Sequence, residues 1–215
     1  MRKLDFALLI GLVIAIVVSN FTSFEKSYES LQNGVLRLHI LANSDSDEDQ
    51  QLKLKVRDRI LEYSSEFFGE GFSIDEVENS LKKKLDRIKE IAYEVIRENG
   101  FSYNVECEFV NMDFTAREYD GLTMPAGNYD ALRITIGDAE GKNWWCVMYP
   151  PLCIPATTVK KDIDDADESE TIITAKNSED FFSKEEYEIM EHPERYKVRF
   201  KILEIYDGIK KRIAR

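Results

Sequence analysis

Between Val35 and Leu41 apolar and polar positions alternate, with Leu36, Leu38 and Ile40 on one side and Arg37 and His39 on the other. A period of two predicts a half-buried strand. Ala42-Asn43-Ser44-Asp45 breaks the pattern with turn formers. Ser46 then stands as an N-cap, and Asp49 three residues later resembles a capping box with the shorter acid. Asp47, Glu48 and Asp49 suit the positive end of a helix dipole. Leu52, Val56, Ile60, Tyr63 and Phe67 follow at helical spacing and predict one buried stripe.

Gly69-Glu70-Gly71 closes that helix, and Ser73 with Glu76 opens another through a second capping box. Val77, Leu81, Leu85, Ile88, Ala92, Val95 and Ile96 hold a stripe for about six turns, which predicts one long helix. Asn99-Gly100 supplies left-handed C-cap residues. Tyr103, Val105, Cys107 and Phe109 then alternate with Asn104, Glu106 and Glu108 as a strand, and Met112, Phe114 and Ala116 read as a further strand after a bend. Asp120-Gly121 reads as a turn. Leu132, Ile134 and Ile136 alternate with Arg133 and Thr135 as a further strand. Gly137–Gly141 reads as a hairpin loop that returns Trp144–Tyr149 as the partner strand, stopped by Pro150-Pro151.

Helices followed by a run of strands predict an α+β fold: a largely antiparallel sheet of four to five strands with two long helices on one face, plus a C-terminal helix. Residues 35–158 form the domain in this reading. Residues 159–182 form an acidic linker and 183–215 a C-terminal helical segment. In that segment Ser183 and Glu186 cap a short helix, and Phe200, Leu203, Tyr206, Ile209 and Ile213 carry a stripe.

Met1-Arg2-Lys3 is basic and Phe6–Val18 is uninterrupted by charge. That run is short for a membrane span and suits the apolar part of a signal peptide. Residues 1–24 are therefore read as a signal peptide or an uncleaved N-terminal anchor, with membrane contact in the second case. Residues 25–34 read as a polar tether.

The net charge of −12 argues against a nucleic-acid partner. It is uneven, because Lys160–Glu194 holds 13 Asp and Glu against 4 Lys and Arg. The run from Asp45 opens like a calcium loop but has Gln50 where glycine is needed and Val56 where a glutamate is needed. No metal-ligand spacing supports zinc at His39, and no nucleophile or phosphate-loop motif is present, so no cofactor is expected. Cys146 and Cys153 bracket a proline turn and either bridge across it or remain thiols; Cys107 reads as a core residue. Trp144 and Trp145 are adjacent on a strand and must face opposite ways. His39 either bonds into the turn after its strand or joins a polar cluster with Arg37, Asn43, Asp45 and Asp49.

The runs RLHILANSDS with DQQLKLKVRD, and MPAGNYDALRITIG with NWWCVMYPPLC, resemble the stage II sporulation protein R family over roughly Val35 to Cys153. The resemblance implies a protein made in the forespore and exported into the space between forespore and mother cell. There it would switch on a membrane-bound aspartic protease that cleaves a mother-cell sigma factor precursor. It implies a signalling protein rather than an enzyme, so no catalytic residue is named. The expected contact patch joins Arg37, His39, Asn43, Asp45 and Asp49 to Pro125, Gly127 and Tyr129 and to an exposed Trp144 or Trp145. A wall-polymer hydrolase using Asp45 or Asp49, and a structural envelope protein, are the rival readings.

Overall fold

The computed structural model describes residues 3–68, 72–119, 121–152, 181–202 and 212. The expected stop at Gly69–Gly71, residue 120 of the Asp120-Gly121 turn, residues 159–180 of the acidic linker and most of the C-terminal stripe lie outside them; Phe182, placed in the linker, is buried in the core described below.

The fold is α+β. Helix α1 (Lys3–Asn33) leads into strand β1 (Leu36–Leu41). Helices α2 (Asp47–Glu62), α3 (Ser64–Phe67), α4 (Ile74–Lys83) and α5 (Leu85–Glu98) follow. Strands β2 (Val105–Phe114), β3 (Arg117–Tyr119), β4 (Leu122–Met124), β5 (Gly127–Ile136) and β6 (Asn143–Tyr149) come next, then helix α6 (Lys184–Glu191).

The sheet order is β2-β5-β1-β6, with β3 and β4 forming a separate two-stranded ribbon. Two of the neighbouring pairs are antiparallel, but β1 and β5 run parallel. The expected hairpin between β5 and β6 is therefore corrected: β1 lies between them. A six-residue loop reaches easily over one intervening strand, since strands sit roughly 5 Å apart. Alternation reports that a segment is a strand and says nothing of its neighbour.

The long stripes also divide. The first helix ends at Tyr63 and restarts as α3. The second breaks at Lys84, whose N–H reaches back three residues to the Leu81 carbonyl at 2.9 Å instead of four. The Lys84 ammonium also donates to the Glu66 carbonyl on α3. Both halves keep their apolar faces on one core, so the pattern runs through the break unmarked. The capping box of Ser73 with Glu76 forms as expected, and so does that of Ser183 with Glu186. Gly100 takes φ +82° after α5.

Leu36, Leu38 and Ile40 pack with Leu52, Val56, Ile60, Leu81, Ile88 and their neighbours in a core under α2–α5. The opposite face of the sheet is covered too. Phe24 and Leu31 of α1, Phe114, Leu122 and Met124, Tyr129, and Ile189 and Met190 of α6 build a second core there. Helices on one face alone is thus corrected. The expected tether is the C-terminal part of α1, and Leu31 is fully buried. Tyr28 and Gln32 tie it to the start of β5, where the Tyr28 hydroxyl donates to the Ala126 carbonyl. The N-terminal part of α1 exposes Phe6, Leu8, Leu9, Ile10, Leu12 and Val13. Among the described residues no helix is long and apolar enough to cross a membrane.

The two covers are offset along the sheet. On β2, Val105, Cys107 and Phe109 face the helical core, whereas Val110, Met112 and Phe114 face the second core. Apolar character changes face between Phe109 and Val110 within one continuous strand, so the expected bend and further strand are corrected: Val105–Phe114 pairs with β5 in unbroken register.

Candidate functional site

β1 ends where β5 ends, and the chain leaving it meets the loop that carries β5 over to β6. Five contacts fasten the two segments. Glu140 N–H donates to the Asn43 carbonyl at 3.1 Å and Gly141 N–H to the Ala42 carbonyl at 3.0 Å. Asp138 N–H donates to Asn43 Oδ1 at 3.0 Å, and Lys142 N–H to Asp45 Oδ1 at 2.7 Å. From α2, Lys53 Nζ donates to the Lys142 carbonyl at 2.8 Å. Gly141 lies so near the Ser44 carbonyl that a Cβ would overlap it.

Asp49 holds this corner from below. Ser46 accepts its N–H at 3.2 Å, as the N-cap reading requires. The carboxylate does not accept the Ser46 N–H as a capping box requires, however; that N–H goes to Ser44 Oγ. The carboxylate accepts from Asn43 Nδ2 at 2.9 Å and Ser44 Oγ at 2.6 Å, with only 3% of the residue exposed. Burial alone would push the Asp49 carboxyl up; hydrogen bonds from Ser44, Asn43, Tyr103 and Ser46 outweigh it and hold the group below its ordinary range. A depressed carboxyl does not suit a general acid. Lys53 and Arg57 of α2 are buried, with Arg57 4.4 Å over the Trp144 ring.

Arg37 is fully buried beneath the β3–β4 ribbon, so it cannot serve as a contact residue on the surface. Its Nε donates to the Cys146 carbonyl at 3.0 Å and its Nη2 to the Tyr119 hydroxyl at 2.9 Å. Phe114, Tyr129 and Tyr119 ring the guanidinium at 4.5, 5.0 and 5.6 Å. Desolvation lowers its affinity for the proton, and the two tyrosines partly restore it. Tyr129 is buried as well, donating to the Pro125 carbonyl at 2.7 Å. Pro125 is buried and Gly127 packs on Gln32. Pro125 and Tyr129 therefore lie inside and Gly127 is held against α1, while Ala126 and Asn128 remain exposed.

His39, expected on a wet face, is 4% exposed. Its ring stacks on Trp145 at 4.0 Å with planes 7° apart, and Trp145 meets the edge of Phe114 at 4.8 Å. Nε2 pairs with Asn143 Oδ1 at 2.8 Å. Burial lowers the imidazole affinity for the proton, the Asn143 bond raises it, and nearby Arg133 lowers it. The tryptophans do face opposite ways: Trp144 joins the helical core and Trp145 the second core. Neither stands fully exposed.

Beyond Trp145 the second core stops. Cross-strand register places Glu108, Arg133, His39 and Trp145 in one row across all four strands. Glu106, Thr135, Leu41 and Asn143 form the next row. Glu106, Glu108 and Asn143 are exposed, and Arg133, Thr135 and Leu41 half-buried. Of the expected patch, this surface retains Trp145 and the edge of His39, with exposed Asp45 at the adjoining corner. Arg133, Asn143 and Tyr119 were missed. Arg133 sits in the alternation as an ordinary wet position, and only the parallel pairing with β1 brings it beside His39.

Cys146 is disulfide-bonded, and Cys107 is free with its thiol pushed up to about 12 by burial. Cys153 lies outside the described residues. Among the described residues no group of three or more His, Cys, Asp or Glu is placed to hold a metal ion.

Residues 32–161 match the stage II sporulation protein R family, and the chain belongs to that family. A curated relative, stage II sporulation protein R of Bacillus subtilis strain 168, is 42% identical over 118 residues, covering 55% of this chain and 53% of the relative. The chain thus spans about half the length of that relative. Family membership supports a role in sporulation. No solved structure matches the chain.

Proposed function

We propose that this chain is an exported signalling protein of endospore formation that works by contact. It activates a membrane-bound aspartic protease from the external face, and the protease then processes a mother-cell sigma factor precursor. Family membership over residues 32–161 carries this reading. The basic start and exposed apolar stretch of α1 support export or anchoring at a membrane. Activation requires a higher affinity for the competent state of the protease than for its resting state. The accessible surface best suited to that contact is the polar half of the sheet face with Trp145, Asn143 and Arg133, since Arg37, Asp49 and Tyr129 lie inside.

The test uses the purified full chain added to vesicles holding the protease and its precursor. Cleavage of the precursor should rise with added chain and saturate. Cleavage that is the same with and without the chain refutes the proposal.

A further inference from the structure

Helix α1 changes character along its length. Phe21, Phe24, Tyr28 and Leu31 pack in the second core, whereas Phe6, Leu8, Leu9, Ile10, Leu12 and Val13 are exposed. No charge falls between Asp5 and Glu25. Spaced one and two apart, the exposed positions point all round the helix rather than along one stripe. A partner helix covers only one stripe, and an apolar solvent covers every side.

A second element sits at the root of this stretch. Residues 197–202 are helical. Phe200 meets Phe24 at 5.3 Å and Tyr28 at 5.6 Å, both edge to face, and the Arg199 guanidinium lies 5.5 Å over Phe24. Tyr196, just before the segment, stacks on Phe24 at 5.3 Å. With that side held on α1, the other side faces outward, and Lys197, Val198, Lys201 and Ile202 are exposed on it. Cations and apolar side chains thus share one face. The basic character continues in the sequence: Arg195 to Arg215 holds eight Lys and Arg against two Asp and Glu, in a chain of net charge −12.

We propose that the apolar half of α1 and the basic segment 197–202 form one docking surface for an anionic lipid bilayer. The α1 side chains enter the hydrocarbon, Lys197 and Lys201 meet headgroup phosphates, and Val198 and Ile202 lodge between headgroups. Charge selects this occupant. A local surplus of cations in an acidic chain is drawn to a negative membrane surface, which repels the rest of the protein and so orients it. A second copy of the chain brings the same cations and is repelled by them. An apolar segment and a basic patch are each marginal anchors alone and stable together.

This inference extends the reading of α1 as directed to a membrane, and its test needs no protease. The purified full chain is floated with vesicles of phosphatidylcholine alone and of phosphatidylcholine mixed with phosphatidylglycerol. It should bind the mixed vesicles more tightly, and added salt should erase the difference. Lys197→Gln with Lys201→Gln should weaken binding to the mixed vesicles by about fivefold per cation removed. The double variant should match the parent on phosphatidylcholine alone and keep its melting temperature, since both positions are exposed. Leu9→Ser with Leu12→Ser should weaken binding to both kinds of vesicle. Equal binding of the parent to the two kinds, unchanged affinity in the lysine variant, or self-association through α1 in place of vesicle binding overturns the inference. If the chain binds vesicles as described while precursor cleavage does not respond, the docking surface stands and the protease reading falls.

Discussion

Asn43 Nδ2 donates to Asp49 Oδ2 at 2.9 Å while Asn43 Oδ1 accepts the Asp138 N–H at 3.0 Å, so one side chain joins the start of α2 to the β5–β6 loop. Replacing Asn43 with alanine removes both bonds and leaves a buried carboxylate short of a donor. The expected cost is about 1–3 kcal/mol, read as a lower urea midpoint at unchanged slope.

The same bonds make stability depend on acid. The folded Asp49 carboxyl lies below its ordinary 3.8, so its contribution is present above that value and lost as pH falls through the folded one. Asp49→Asn should flatten the acid limb of the stability profile. A variant whose midpoint falls with acid as steeply as the parent would rule this out.

His39 acts in a higher window. Its folded affinity for the proton is below the ordinary 6.5, so stability is fully present above pH 6.5 and declines below it. Urea midpoints measured between pH 7 and pH 5 should fall in the parent chain and fall less in His39→Gln.

Arg37 separates charge from volume. Arg37→Ala opens a cavity among Phe114, Tyr119 and Tyr129 and should cost about 2–5 kcal/mol. Arg37→Met fills the space without a buried charge and should cost at least ~1 kcal/mol less. Equal losses in the two variants would mean that the bonds to Tyr119 and Cys146 dominate.

Two glycines give a paired test. At Gly141 a Cβ meets the Ser44 backbone, whereas at Gly11 it meets nothing within 4 Å. Gly141→Ala should destabilise by about 1–3 kcal/mol as the loop lifts from Asn43, and Gly11→Ala should leave the melting temperature unchanged.

Local chemistry alone determined the caps at Ser46, Ser73 and Ser183, the strand at Val35–Leu41, the helical stripes and the opposed tryptophans, because each depends on residues within one or two turns. Strand neighbours, the break at Lys84 and the second cover of the sheet were decided by tertiary structure. Arg37 and His39 occupy positions that a period of two assigns to solvent. They are buried because α1, the β3–β4 ribbon and α6 bring apolar surface over that face from distant parts of the chain. The polar corner residues likewise looked like a display toward another molecule. Folding turned most of them inward to fasten two loops together, because the groups they bond lie about a hundred residues away and become neighbours only once β1 slots between β5 and β6.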